Sequence, residues 1–174
     1  ALGHSMGGAV AALYAARRPE GLDALILSSP YLRNAAPVPT WLEGVARILA
    51  RLAPGAPVRR LDTGALSRLP EEVEAYRADP LVHAGPVKAR MARELLDGGR
   101  AALAAASAIE VPVRIVHGGA DRIADPAGAR EIAARIGDRA EATIYDGGYH
   151  ELLKDADRER VTADLVAWLE RRYG

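Results

Sequence analysis

Apolar and polar positions alternate in two different rhythms along this chain. Residues 6 to 17 (MGGAVAALYAAR) form an Ala-rich run after two glycines, which predicts a helix ended by the basic pair Arg17 and Arg18 and by Pro19. Asp23 to Ser28 (DALILS) is a short apolar run closed by Ser-Pro, the mark of a buried strand. Turn, helix and strand in that order fit one half of a βαβ unit. The alternation resumes after Pro112. Residues 113 to 119 (VRIVHGG) predict a strand ending in a glycine turn, Pro126 opens a helix over 126 to 136, and residues 142 to 148 (ATIYDGG) predict another strand and turn. In the closing helix Val161, Leu165, Trp168 and Leu169 form the expected buried stripe, and Arg171 and Arg172 lie where the helix dipole favours cations.

Between these stretches, residues 34 to 108 follow another pattern. No strand-like run occurs, prolines fall at 37, 39, 54, 57, 70, 80 and 86, and three helical patterns lie between them. This segment is therefore expected to be an insertion made of helices. In the first helix Trp41, Leu42, Val45, Ile48, Leu49 and Leu52 recur at three and four, with Arg47 and Arg51 off that face. The second is short, around Glu71 to Ala78. The third runs from about Val87 to Ala106, with an interruption expected at Gly98 and Gly99. The apolar face of the first helix is expected to pack on the domain. Lining an acyl-chain pocket or touching lipid is its alternative use.

Composition narrows the class of protein. With 174 residues and 49% hydrophobic content, the chain suits one domain with a real core. Lys+Arg and Asp+Glu are 23 each, so no net charge or basic run points to nucleic acid as a partner. The absence of cysteine removes disulfides, zinc-thiolate sites and thiol nucleophiles. Phenylalanine is also absent, so Leu, Val, Ile and Ala must fill the core, with Trp41, Trp168 and the tyrosines as the large aromatics. No stretch approaches the roughly 20 apolar residues of a membrane-spanning helix. The first residue is Ala1, inside a strand-to-turn junction, which is expected of the C-terminal part of a longer protein. Any signal peptide or anchor would then lie upstream, and localisation stays open.

Gly3-His4-Ser5-Met6-Gly7, extended by Gly8, is a G-x-S-x-G pattern between a strand remnant and a helix. In that context the serine is expected to sit on a strained turn with its hydroxyl above the sheet, and small residues two before and two after relieve crowding. The main-chain N–H of Met6 is then the expected donor to an oxyanion. A phosphate-binding glycine loop does not fit, since no lysine follows and the P-loop spacing is not met.

A serine hydroxyl needs a base to take its proton, and the base needs a carboxylate to fix its tautomer. Of four histidines, His4 precedes the serine, His83 lies in the insertion, and His117 lies in or at the end of a strand before any acid candidate. His150 alone lies downstream, in a loop after the last strand (GGYHE). For the acid, Asp121 in GGADR directly follows the strand at 113 to 117. Asp125 is better placed to cap the helix at Pro126, and Asp146 is a less suitable substitute. Ser5, Asp121 and His150 also run in the order Ser, Asp, His.

The segments GHSMGG, VHGGADRIADPAGAR and YDGGYHELLKD together resemble the monoacylglycerol lipase and lysophospholipase branch of the α/β-hydrolases, a serine aminopeptidase-like branch. YRADPLVHAGPVKARMARELL is similar to a cap segment of that branch. The resemblance implies the C-terminal part of an α/β-hydrolase fold, a mostly parallel sheet flanked by helices, with residues 1–33 and 109–174 as core and 34–108 as a helical cap. It implies Ser5 as nucleophile, Asp121 as acid, His150 as base and Met6 as main-chain oxyanion donor. The implied reaction is hydrolysis of a carboxylic ester, such as a monoacylglycerol or lysophospholipid, through an acyl-serine, with no cofactor or metal and with possible membrane-surface contact through the cap. Family members carry a second oxyanion donor and further strands before the elbow, so the 174-residue chain alone is expected to be inactive. The rival readings are a thioesterase, an aminopeptidase-like amidase, and a ligand-binding protein on the same scaffold.

Overall fold

The structure is a computed structural model and describes residues 1–18, 20–83 and 85–174. Pro19, expected to stop the first helix, lies outside the described residues. In chain order the elements are β1 (Leu2–His4), α1 (Met6–Arg17), β2 (Leu25–Ser28), α2 (Thr40–Leu52), β3 (Pro57–Arg59) and α3 (Pro70–Ala78). They continue with β4 (Val87–Lys88), α4 (Ala89–Ala105), β5 (Val113–Gly118), α5 (Pro126–Ile136), β6 (Ala140–Tyr145) and α6 (Arg158–Tyr173).

Strands β1, β2, β5 and β6 lie side by side in that order, each parallel to its neighbour. Leu25, Leu27, Val113 and Ile115 turn to one face, where they pack with Ala9, Ala12 and Ala15 of α1, Ala102 and Leu103 of α4, and Ile132 and Ile136 of α5. Ile26 and Val116 turn to the other face, against Val161, Leu165 and Trp168 of α6. A strand covered on both sides reads as a continuous apolar run, which is why LILS shows no alternation. The small side chains of α1 let that helix lie close to the sheet. At the start of α5, Asp125 accepts a hydrogen bond from Ala127 N at 2.8 Å and so fills the capping role expected of it. On α6 the buried stripe is Val161, Leu165 and Trp168, while Leu169, expected within it, is 37% exposed. The fourth residue falls one step beyond the arc that faces the sheet.

Residues 34–108 depart from the sequence expectation in three ways. They contain strands, since β3 and β4 pair antiparallel. They contain no break at Gly98 and Gly99, because α4 is continuous from Ala89 to Ala105. A Cβ at Gly99 would come within 2.6 Å of Leu32 O, so this glycine is where the helix meets the 31–32 main chain. Burial of Gly99, Ala102 and Leu103 outweighs the roughly 1 kcal/mol that a glycine takes from a helix. The C-terminal half of α4 thus belongs to the helical layer over the sheet. Third, the apolar face of α2 is not packed on the domain: Trp41 is 69%, Ile48 62% and Leu52 78% exposed. The helix is attached instead by its narrower side, where Ala50 is buried and Glu43 pairs with Arg100 of α4 at 2.6 Å.

Candidate active site

Ser5 joins β1 to α1 with φ 52° and ψ −122°, a conformation that an L-residue holds at a cost of order 1–3 kcal/mol. The surrounding main chain enforces it. Ser5 N–H donates to Ser28 O at 3.0 Å, and Ser5 O accepts from Gly8 N at 3.0 Å and from Tyr31 N at 2.8 Å. A Cβ at Gly3 would lie 2.5 Å from Gly7 O, and one at Gly8 would lie 2.8 Å from the Pro30 side chain. Gly7 differs from expectation, since a Cβ there would meet nothing within 4 Å. The crowding sits at the second residue before the serine and the third after it. Met6 is the first residue of α1, so its N–H has no acceptor one turn back within the helix.

Asp121 and His150 reach the same edge of the sheet from the turns that follow β5 and β6, at the C-terminal ends of parallel strands. Those two turns are laced together: Gly119 N donates to Tyr145 O at 2.7 Å and Ala120 N to Gly148 O at 3.0 Å. Gly118 lies so close to Gly148 and Tyr149 that no side chain fits between them. In this frame His150 Nδ1 lies 2.7 Å from Asp121 Oδ2, and His150 Nε2 lies 2.8 Å from Ser5 Oγ. An ionised carboxylate only accepts, so Nδ1 carries the proton and Nε2 is left to accept from the serine hydroxyl. The structure brings together Ser5, Asp121 and His150, with the histidine and aspartate buried and the serine partly open.

Asp121 is saturated with donors. Its Oδ1 accepts from the N–H groups of Ile123 at 2.8 Å and Ala124 at 3.0 Å, and its Oδ2 accepts from His117 Nε2 at 3.1 Å as well as from His150. Burial pushes this carboxyl up, but the hydrogen bonds from His117 and His150, the charge of His150 and the Ile123 N–H outweigh it and hold the group well below the usual carboxylate range. The sequence places His117 in or at the end of a strand before any acid candidate, which sets it aside as the base. It is wholly buried, and both acceptors near its Nε2, Asp121 Oδ2 and Ala124 O, require that nitrogen to donate. Its position four residues before the acid was the available signal.

His4 lies beside the site, its ring centroid 5.0 Å from that of His150 and its Nε2 3.5 Å from Glu151. His83 and Asp146 form no hydrogen bond with the three residues, among the described residues. A cavity of about 320 Å³ lies elsewhere, bordered by Leu32, Val38, Leu96 and Leu103, and none of Ser5, Asp121 and His150 lines it. The chemistry belongs to the hydrogen-bonded chain, which joins a hydroxyl, an imidazole and a carboxylate in series, and not to that cavity. Among the described residues, no cluster of three or more His, Cys, Asp or Glu side chains could hold a metal ion. Among the described residues, no helix is long and apolar enough to cross a membrane.

A family profile described as serine aminopeptidase, S33, matches residues 1–157. The chain is 40% identical over 169 residues to a monoacylglycerol lipase of Mycolicibacterium smegmatis, a match that covers 97% of this chain and 60% of that protein. To the monoglyceride lipase of Homo sapiens it is 33% identical over 176 residues, covering 98% of this chain and 58% of that one. Among solved structures, the monoacylglycerol lipase of Paleococcus ferrophilus matches with a TM-score of 0.86 at 32% identity, covering 97% of this chain and 66% of that one. The chain spans about 60% of the length of the curated relatives named here.

Proposed function

This chain belongs to the serine aminopeptidase S33 family, and from that premise we propose that it carries the catalytic centre of a serine hydrolase that cleaves carboxylic esters of lipids. The fold is that of the α/β-hydrolases. The observation that carries the proposal is the unbroken chain from Ser5 Oγ through His150 to buried Asp121, mounted on a strained turn at a helix N-terminus. In this reading His150 Nε2 takes the Ser5 proton as Oγ attacks the acyl carbon, and the oxyanion forms against the Met6 N–H. His150 then gives that proton to the departing alcohol, leaving an acyl-serine. Water, deprotonated by the same nitrogen, releases the acid and restores the hydroxyl.

In this reading residues 1–33 and 109–174 form the hydrolase core together with the C-terminal half of α4, which packs on the sheet, and the rest of 34–108 forms the cap. The relatives named monoacylglycerol and monoglyceride lipase support a single-chain acyl ester of glycerol, and a lysophospholipid ester is the alternative. The exposed apolar face of α2, edged by Arg47 and Arg51, supports contact of the cap with the lipid surface that presents such an ester. The test is turnover, by a form of the protein as long as its curated relatives, of a panel of monoacylglycerols, lysophospholipids, acyl thioesters and aminoacyl amides. Hydrolysis of the oxygen esters that disappears in Ser5→Ala is the expected result. Turnover of the amides alone, or turnover that survives Ser5→Ala, would overturn the reading.

A further inference from the structure

Asp155 is a fully buried carboxylate that the ester chemistry leaves without a task. It lies beyond His150, before α6, and gathers donors both from the histidine loop and from Arg68, 87 residues before it. From the insertion, Arg68 N–H donates to Oδ1 at 2.8 Å and Arg68 Nε to Oδ2 at 2.9 Å. From the histidine loop, Tyr149 N–H donates to Oδ2 at 2.9 Å. The other arm of Arg68 reaches Asp157 Oδ2 at 2.6 Å. Burial pushes the Asp155 carboxyl up, but the N–H groups of Tyr149, Arg68 and Ala156 and the Arg68 guanidinium outweigh it, so the group stays below the usual carboxylate range.

The same two segments are joined on the other side of His150. Glu151 N–H donates to Leu66 O at 2.8 Å, and the Ser67 hydroxyl donates to Lys154 O at 2.7 Å. Both residues that flank His150 therefore have their N–H groups held, one by Asp155 and one by Leu66, and both tethers lead to residues 66–68. Those residues are themselves anchored, with Leu66 and Ser67 buried. His150 follows the end of β6 and has no strand ladder of its own, yet its ring must meet Ser5 and Asp121 at once.

We propose that Asp155 and Arg68 are positioning residues for His150, so that segment 66–68 of the insertion orients the base. The inference rests on the serine hydrolase reading for the role of His150, but the tether can be tested apart from it. A base displaced by about 1 Å loses on the order of 10²-fold in rate. The expected kinetic result for Asp155→Asn and Arg68→Ala is thus a fall in kcat of about that size with KM nearly unchanged, and partial recovery in Arg68→Lys.

The readout independent of turnover is NMR of the 174-residue chain. In Arg68→Ala the amides of Tyr149 and Glu151 are expected to exchange about tenfold faster and the His150 Nδ1 proton signal to broaden, while the β5 amides keep their protection. Arg68 is partly exposed, so this variant serves if Asp155→Asn does not fold. Unchanged exchange and an unchanged His150 signal would overturn the inference, as would an equal loss of protection in β5 and the histidine loop. If the tether behaves as expected but Ser5-dependent turnover is missing from a form as long as the curated relatives, the serine hydrolase reading fails and the tether stands.

Discussion

Ile115 in β5 is completely buried, whereas Ile48 in α2 is 62% exposed, although the sequence marks both as apolar positions of a regular element. Around Ile115 the sheet is covered by helices on both faces, and the polar groups at its edge are paired among themselves. Around Ile48 the helix is held by a narrow strip and one ion pair, and its wide apolar face is bare. Periodicity reports that a face exists. What the face meets is decided by neighbours distant in sequence.

The widest separation between the two regions is expected in catalysis. His150→Ala is predicted to slow reaction of Ser5 with an acylating probe by about 10⁴-fold or more, while Trp41→Ser in α2 leaves that rate within about twofold when the probe is small and water-soluble. Rapid-quench labelling measures both, and a comparable loss in the two variants would erase the distinction. Stability gives the next contrast. Ile115→Ala is predicted to cost about 2–5 kcal/mol in urea unfolding, because the cavity it leaves is closed on all sides.

Asp121→Asn is predicted to cost about 1–3 kcal/mol near neutral pH, since it turns a pure acceptor facing four donors into an amide. That difference depends on pH with a definite sign. The folded pKa of Asp121 lies below its unfolded value, so its contribution is complete above the unfolded carboxylate pKa of about 3.9 and is lost as pH falls from there toward the folded value. Urea titrations of wild type and Asp121→Asn should converge as pH drops from about 5 to 3 and stay parallel between about 6 and 8. A gap that widens in acid would reverse the assignment. Smallest is Ile48→Ala, expected to shift stability by no more than about 0.5 kcal/mol. A loss close to that of Ile115→Ala would mean that the α2 face is covered in solution.

The sheet and the hydrogen-bonded set of Ser5, His150 and Asp121 are readable because their signals are local or ordered. GHSMGG is contiguous, the strands are apolar runs bounded by Gly and Pro, and Asp121 and His150 each follow a strand directly. What was missed depends on distant partners. Strands β3 and β4 are three and two residues long, one opening on a proline, and they pair only because the chain returns. Gly98 and Gly99 read as a break until Leu32 is placed against the second of them. His117 precedes every acid candidate in the chain and meets Asp121 only once the turn after β5 is folded, and Arg68 carries no local sign of its pairing with Asp155.

The central claim is that Ser5 is a nucleophile activated by His150, and an active-site-directed fluorophosphonate tests it most directly. Intact mass and peptide mapping of the labelled protein are predicted to show a single phosphonyl adduct on the peptide containing Ser5, absent in Ser5→Ala. No adduct on a folded form as long as the curated relatives, or an adduct that persists in Ser5→Ala, would contradict the account and favour a scaffold that binds its ligand without turning it over.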